Sequence, residues 1–135
     1  YDALPEHTGR IIGVHGSAGG GRDVARRSEI GRVAAEHEDL VIVTNEDPYE
    51  EDPRMIIDAV MEGATLHGKV ENVSVFGIDD RQAAIDFAIA HAKDGDIVLV
   101  TGKGSEPVMA VKGGSVPWDD RVAVRSALAN HGYSV

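Results

Sequence analysis

Four short runs of aliphatic and β-branched residues, "RIIGVHG", "DLVIVTN", "NVSVFG" and "DIVLVTGKG", recur along the chain with longer stretches of helical spacing between them. Few architectures accept that alternation. A strand that is apolar on both faces needs cover on both, and helical crossovers supply it, so the pattern predicts an α/β domain. Its sheet should be Rossmann-like and mainly parallel, with helices on both faces. The helix candidates span roughly Val24 to Glu38, Pro53 to Gly63 and Asp79 to Lys93. In the third, Ala83, Ala84, Phe87, Ala88 and then His91 or Ala92 recur at three- and four-residue steps and predict one apolar face. A hairpin-like segment, "PVMAVKGGSVPW", follows. A last helix should start at a cap formed by Asp119 and Asp120 and stop at Gly132. The 135 residues, 42% of them hydrophobic, suit a single domain spanning 1–135 with a real core.

Charge and composition remove several functions. A net charge of -10 disfavours a nucleic-acid binder, whose affinity comes from clustered Lys and Arg. Without Cys there is no disulfide framework and no thiolate metal site. The six His residues, at 7, 15, 37, 67, 91 and 131, form no ligand-type pair on one helix, so no metal site is expected. Trp118 reads as a packing residue rather than a base-stacking surface. Neither Ser17 nor Ser105 sits in a nucleophile arrangement, and no catalytic residue is assigned. No apolar run approaches the roughly 20 residues of a membrane span. A cytoplasmic protein with no membrane insertion is the expectation, and a chain opening on Tyr without Met reads as cut from something longer.

In a parallel sheet, function gathers where the strands end. The first exit, "GSAGGGRDVARR", has Gly16 and Gly21 at the spacing of a phosphate-binding P-loop, but Arg22 and Asp23 stand where that loop needs Lys and a hydroxyl. Arg22, Arg26 and Arg27 open a helix, where positive charge is unfavourable unless an anion waits there. The second exit, "TNEDPYEEDP", carries Glu50 to Asp52 as an ordinary helix start, while Glu46 and Asp47 sit at the strand end and can hold an ammonium. The third, "TGKGSE", brings Lys103, Ser105 and Glu106 to the same edge. Each loop alone also reads as a solvated turn. Together they offer cations for a carboxylate and anions for an amine, which is the pattern of an amino-acid pocket.

Read in order, "GGGRDVARR", "TNEDPYEEDP", "GKGSE" and "WDDR" resemble the carboxy-terminal domain of the Mur ligases, in particular the ligase that adds the third residue to the UDP-N-acetylmuramoyl peptide of peptidoglycan. The resemblance runs from about Gly9 to Leu128. It implies that Arg27 pairs with the carboxylate of the incoming amino acid. It also implies that Glu46 and Asp47 occupy the specificity motif, that Gly102 and Glu106 line the pocket, and that Gly20, Gly21, Arg22 and Asp23 form a loop on the ATP side. Two positions depart from the family pattern. Tyr49 stands where an Arg marks selection of meso-diaminopimelate, and Ser105 replaces a His. Without that guanidinium, a distal carboxylate lacks its bidentate partner, so lysine or another amino acid with a distal amine is expected rather than meso-diaminopimelate. The resemblance further implies ATP and Mg2+ in the complete enzyme, both held by a central ATPase domain of the same polypeptide and neither by this domain alone. A UDP-muramoyl peptide would be the second substrate, activated as an acyl phosphate that the amine attacks. Ligases of the folylpolyglutamate or cyanophycin type, and a free-standing metabolite-binding module, are the alternatives.

Overall fold

The computed structural model describes residues 9–17, 25–46, 52–101, 108–111 and 114–133. Four parallel strands form the main sheet: β1 (Ile11–His15), β2 (Leu40–Val43), β3 (Val75–Gly77) and β4 (Ile97–Val100), in the order β3-β2-β1-β4. Three helices connect them, α1 (Ala25–His37), α2 (Pro53–Thr65) and α3 (Arg81–His91). An antiparallel pair, β5 (Val108–Val111) and β6 (Gly114–Pro117), precedes α4 (Asp120–Asn130). The expected parallel α/β architecture is therefore present, hairpin included.

Register explains the two cores. Ile12 lies opposite Leu40 and Val98, and Gly13 opposite Val41 and Leu99, so alternate residues of neighbouring strands share a face. Ile12, Val14, Leu40 and Ile42 pack with Ala84, Ile85, Ala88 and Ile89 of α3 and with Ala123 and Ala127 of α4. On the other face Val41, Val43 and Val75 pack with Ala34 of α1 and with Ile57, Val60, Met61 and Ala64 of α2. Helices cover both faces.

Three aspartates set where helices begin. Asp52 accepts from the Arg54 amide with Pro53 in the first turn, Asp80 accepts from the Gln82 amide, and Asp119 accepts from the Arg121 amide. Hydrogen bonds to the Arg121 side chain, and then to its amide, hold the Asp119 carboxyl below the usual carboxylate range. Only Asp119 caps α4; Asp120 is its first helical residue and is buried for another purpose. The helix ends at Asn130, with Gly132 at φ 86° as the amide of Tyr133 closes on the Leu128 carbonyl.

Three boundaries and faces differ from expectation. The buried stripe of α3 is Arg81, Ala84, Ile85, Ala88 and Ile89, whereas Ala83 is exposed and Phe87 half-buried. Ala is weakly committed to either environment, and the two Ile residues decide the face. The stretch from Asn72 does not start a strand, because Asn72 adopts φ 61° and the Val70 carbonyl takes the amides of Val73, Ser74 and Val75 in a turn. Gly63 does not end α2, which runs on to Thr65. Its lack of a side chain serves packing instead. A Cβ at Gly63 would collide with the Ser28 carbonyl of α1, and one at Gly31 with the Val60 carbonyl of α2.

This close crossing predicts that Gly63→Val lowers stability by about 1 to 3 kcal/mol, the usual cost of forcing bulk into a packed contact. Glu62→Ala, one position away on the exposed side, should stay within about 0.5 kcal/mol. Urea denaturation of the two variants measures both.

Candidate functional site

From β1 the chain winds through α1 to β2 and through α2 to β3, and α3 then carries it back to β4 on the other side of β1. The exits of β1 and β4 consequently diverge, and a crevice opens between them at the carboxyl edge of the sheet. A cavity of about 390 Å³ lies there. His15, Gly16 and Thr101 form its floor, Arg26, Glu29 and Glu46 supply its charges, and Ile30, Val33 and Ala34 of α1 form an apolar wall. Gly16 is required by the closeness of the strand ends: a Cβ there would stand 2.7 Å from the Thr44 carbonyl and 3.2 Å from the Glu46 Cβ.

The loops that leave this edge are tied together from below by Arg81. Its side chain, 1% exposed, sits on the buried stripe of α3. Nε donates to Asp120 Oδ1 at 2.8 Å and Nη2 to Asp120 Oδ2 at 2.8 Å, a bidentate pair. The same guanidinium donates to the Asn45 carbonyl at 2.8 Å and to the Thr101 carbonyl at 2.7 Å. Trp118 Nε1 donates to Asp120 Oδ1 at 2.6 Å. One side chain thus joins the last residue before Glu46, the last residue before Gly102 and the amino terminus of α4.

A second polar group is buried against β1. Glu38 follows α1, and its carboxylate runs along the strand over Gly13 to His15, where it meets Nε2. A Cβ at Gly13 would collide with that carboxylate, so glycine is the residue that lets it lie there. The turn below is held by the Asp39 amide donating to the Ile11 carbonyl and by Asp39 Oδ2 accepting from the Ile11 amide. On the other side of the ring, His15 Nδ1 lies 2.7 Å from Thr101 Oγ1. The imidazole therefore links the helix side of the sheet to the exit of β4.

Of the residues singled out in the sequence, Glu46 lies on the cavity wall and Arg27 is buried in the first turn of α1, next to Arg26 on the wall. Gly20, Gly21, Arg22, Asp23, Asp47, Tyr49, Gly102, Lys103, Ser105 and Glu106 lie outside the described residues. Ser17 is buried beside the β1 exit. Sequence reading missed His15, Glu38, Thr101, Arg81 and Asp120 as parts of the site. Some signal existed: a His among aliphatics in β1, and an Arg in register with the apolar positions of α3. Among the described residues no group of three or more His, Asp or Glu could hold a metal ion, and no helix is long and apolar enough to cross a membrane.

Sheet order and crevice together define a Rossmann-like α/β domain with its candidate site at the switch point of the strands. Residues 1–104 match the family described as Mur ligase, glutamate ligase domain, and the chain belongs to the Mur ligase family. It is 45% identical over 129 residues to the UDP-N-acetylmuramyl-tripeptide synthetase of Roseiflexus sp. (strain RS-1), covering 96% of this chain and 25% of that protein. It is 40% identical over 120 residues to the UDP-N-acetylmuramoyl-L-alanyl-D-glutamate--2,6-diaminopimelate ligase of Prochlorococcus marinus (strain NATL1A), covering 89% of this chain and 22% of that protein. A solved structure of a ligase with that second name superposes with a TM-score of 0.83 at 31% identity, over 95% of this chain and 25% of the other. The chain spans about a quarter of the length of the relatives it matches.

Removing Arg81 alone leaves the Asp120 carboxylate without its fork in a buried setting. Arg81→Met is expected to cost about 3 to 5 kcal/mol, and Arg81→Met combined with Asp120→Asn to cost less than the first change alone. A double-mutant cycle by urea denaturation reads this directly.

Proposed function

We propose that this chain is the amino-acid-presenting domain of an ATP-dependent ligase that adds the third amino acid to a UDP-N-acetylmuramoyl peptide. The observation that carries the reading is the mixed charge of one crevice in a chain of this family: Arg26 in the first turn of α1 lines it together with Glu29 and Glu46, and Arg27 is buried beside Arg26. An amino acid carries the complementary pair of charges. The names of the relatives, a tripeptide synthetase and a diaminopimelate ligase, support the same class of reaction.

In this reading the Arg side chains receive the α-carboxylate, while Glu46 and Asp47 receive an amine. ATP supplies the phosphoryl group that activates the acceptor carboxylate, and it is held with Mg2+ by an upstream ATPase domain of the same polypeptide. On the same reading Gly20, Gly21, Arg22 and Asp23 serve the ATP side. They lack the Lys and hydroxyl that a P-loop uses for the terminal phosphate and its metal. What this domain contributes is orientation, and holding the amine in line with the activated carbon can supply up to roughly 7 to 11 kcal/mol of the barrier. Closure of the domain over the ATPase domain brings the two together.

Three outcomes follow. Purified alone, the chain should hydrolyse no ATP and form no amide, which a coupled ADP assay checks. In the complete enzyme, Arg27→Ala should raise the amino-acid KM by the about 1.5 to 3 kcal/mol typical of a hydrogen bond to a charged group, with the KM for ATP little changed. The complete enzyme should also prefer lysine to meso-diaminopimelate, since Tyr49 offers one neutral hydroxyl where a guanidinium makes two charge-assisted bonds. Parallel kcat/KM measurements decide this last point, and a value for meso-diaminopimelate equal to that for lysine contradicts it.

A further inference from the structure

The hydrogen bonds around His15 have a direction. A carboxylate only accepts, so Glu38 takes the proton of His15 Nε2. In the tautomer that carries its proton on Nε2, Nδ1 is an acceptor, and Thr101 Oγ1 at 2.7 Å is the donor to it. Among the described residues the hydroxyl has a second acceptor within reach, the Val14 carbonyl at 3.2 Å. The imidazole nitrogen is the nearer of the two, and in this tautomer the hydroxyl proton lies toward it. Thr101 is exposed, and its oxygen is left with lone pairs only to offer the cavity. Glu46 and Glu29 line the same space. These acceptors suit a ligand group that donates, an ammonium, while Arg26 in the same cavity suits a carboxylate.

The cost of the arrangement points the same way. The Glu38 side chain is fully buried and that of His15 nearly so, and burying such polar groups costs stability that an apolar pair would not. Glu38, Gly13 and His15 share one face of the sheet and end at the cavity floor, so this expense is placed where a ligand is bound.

We propose that the Glu38–His15–Thr101 chain receives the amine of the incoming amino acid and takes up one of its protons as the amide forms. The inference rests on the ligase reading above. One ammonium proton moves to Thr101 Oγ1 as the Thr101 proton moves to His15 Nδ1, which frees the nitrogen lone pair. The C–N bond forms, the bond between the acyl carbon and the phosphate oxygen breaks with its electron pair, and the second nitrogen proton leaves with the phosphate. Thr101 touches the substrate; His15 acts through it, and Glu38 is a positioning residue that fixes the tautomer.

The test uses the complete enzyme and separates activation from amide formation. Acyl phosphate is trapped as a hydroxamate by hydroxylamine in the absence of amino acid, and amide product is measured in parallel. In Thr101→Val, amide formation should fall tenfold or more with a raised amino-acid KM, while hydroxamate stays within twofold of the parent. Thr101→Ser should restore amide formation to within about threefold. Glu38→Gln should lower amide formation without lowering hydroxamate. Amide formation within twofold of the parent in Thr101→Val, or a parallel fall of both products, overturns the proposal. A parent enzyme that forms no hydroxamate overturns the ligase reading itself, and the inference with it.

Discussion

The guanidinium of Arg81 is the interaction on which the geometry of the crevice depends. Strands end at this edge without partners for their last carbonyls, and an unpaired buried carbonyl is costly. Arg81 satisfies two of them, Asn45 and Thr101, while its remaining donors close on Asp120. A lysine could not do this, because one ammonium cannot present a rigid fork to a carboxylate and reach two carbonyls on separate strands. The exit of β2, the exit of β4 and the start of α4 therefore share one anchor.

Buried polar groups and missing side chains are linked in this domain. Gly13 makes room for a carboxylate, Gly16 lets two strand exits touch, and Gly31 and Gly63 let two helix backbones meet. None of the four adopts a positive φ, so what they supply is space, not conformation. The consequence differs by place. At the helix crossing the space is filled by backbone, which brings α1 and α2 together over the sheet. At β1 it is filled by Glu38, which carries charge through the layer between helix and sheet to the cavity floor.

Charge is distributed in the same economical way around the site. The amino end of α1 already favours anions through its dipole, and Arg26 and Arg27 reinforce that sign. Glu29, one turn further along, and Glu46 at the β2 exit bring the opposite sign to the same cavity. A ligand with one charge would meet one good contact and one repulsion, whereas a zwitterion meets two good contacts.

Local chemistry determined much of this protein from the sequence alone. Apolar runs of strand length, helical spacing between them, Asp residues before helices and the hairpin between β4 and α4 all depend on neighbours a few residues apart, and those readings agree with the structure. The position of Glu46 at the exit of β2 is legible in the same way, because a strand end can be read from where the apolar run stops. The exposed Ala83 and the short β3 lay beyond that reach, since a small residue carries little preference and a left-handed Asn72 breaks a run that otherwise reads as strand. Only the tertiary structure decided that Arg81 meets Asp120 across 39 residues, that Glu38 meets His15 across 23, and that His15 meets Thr101 across 86. Such pairs leave no periodic signal. They exist because the crossover through α3 sets β4 beside β1, and because a glycine two positions before His15 leaves space that a distant carboxylate can enter.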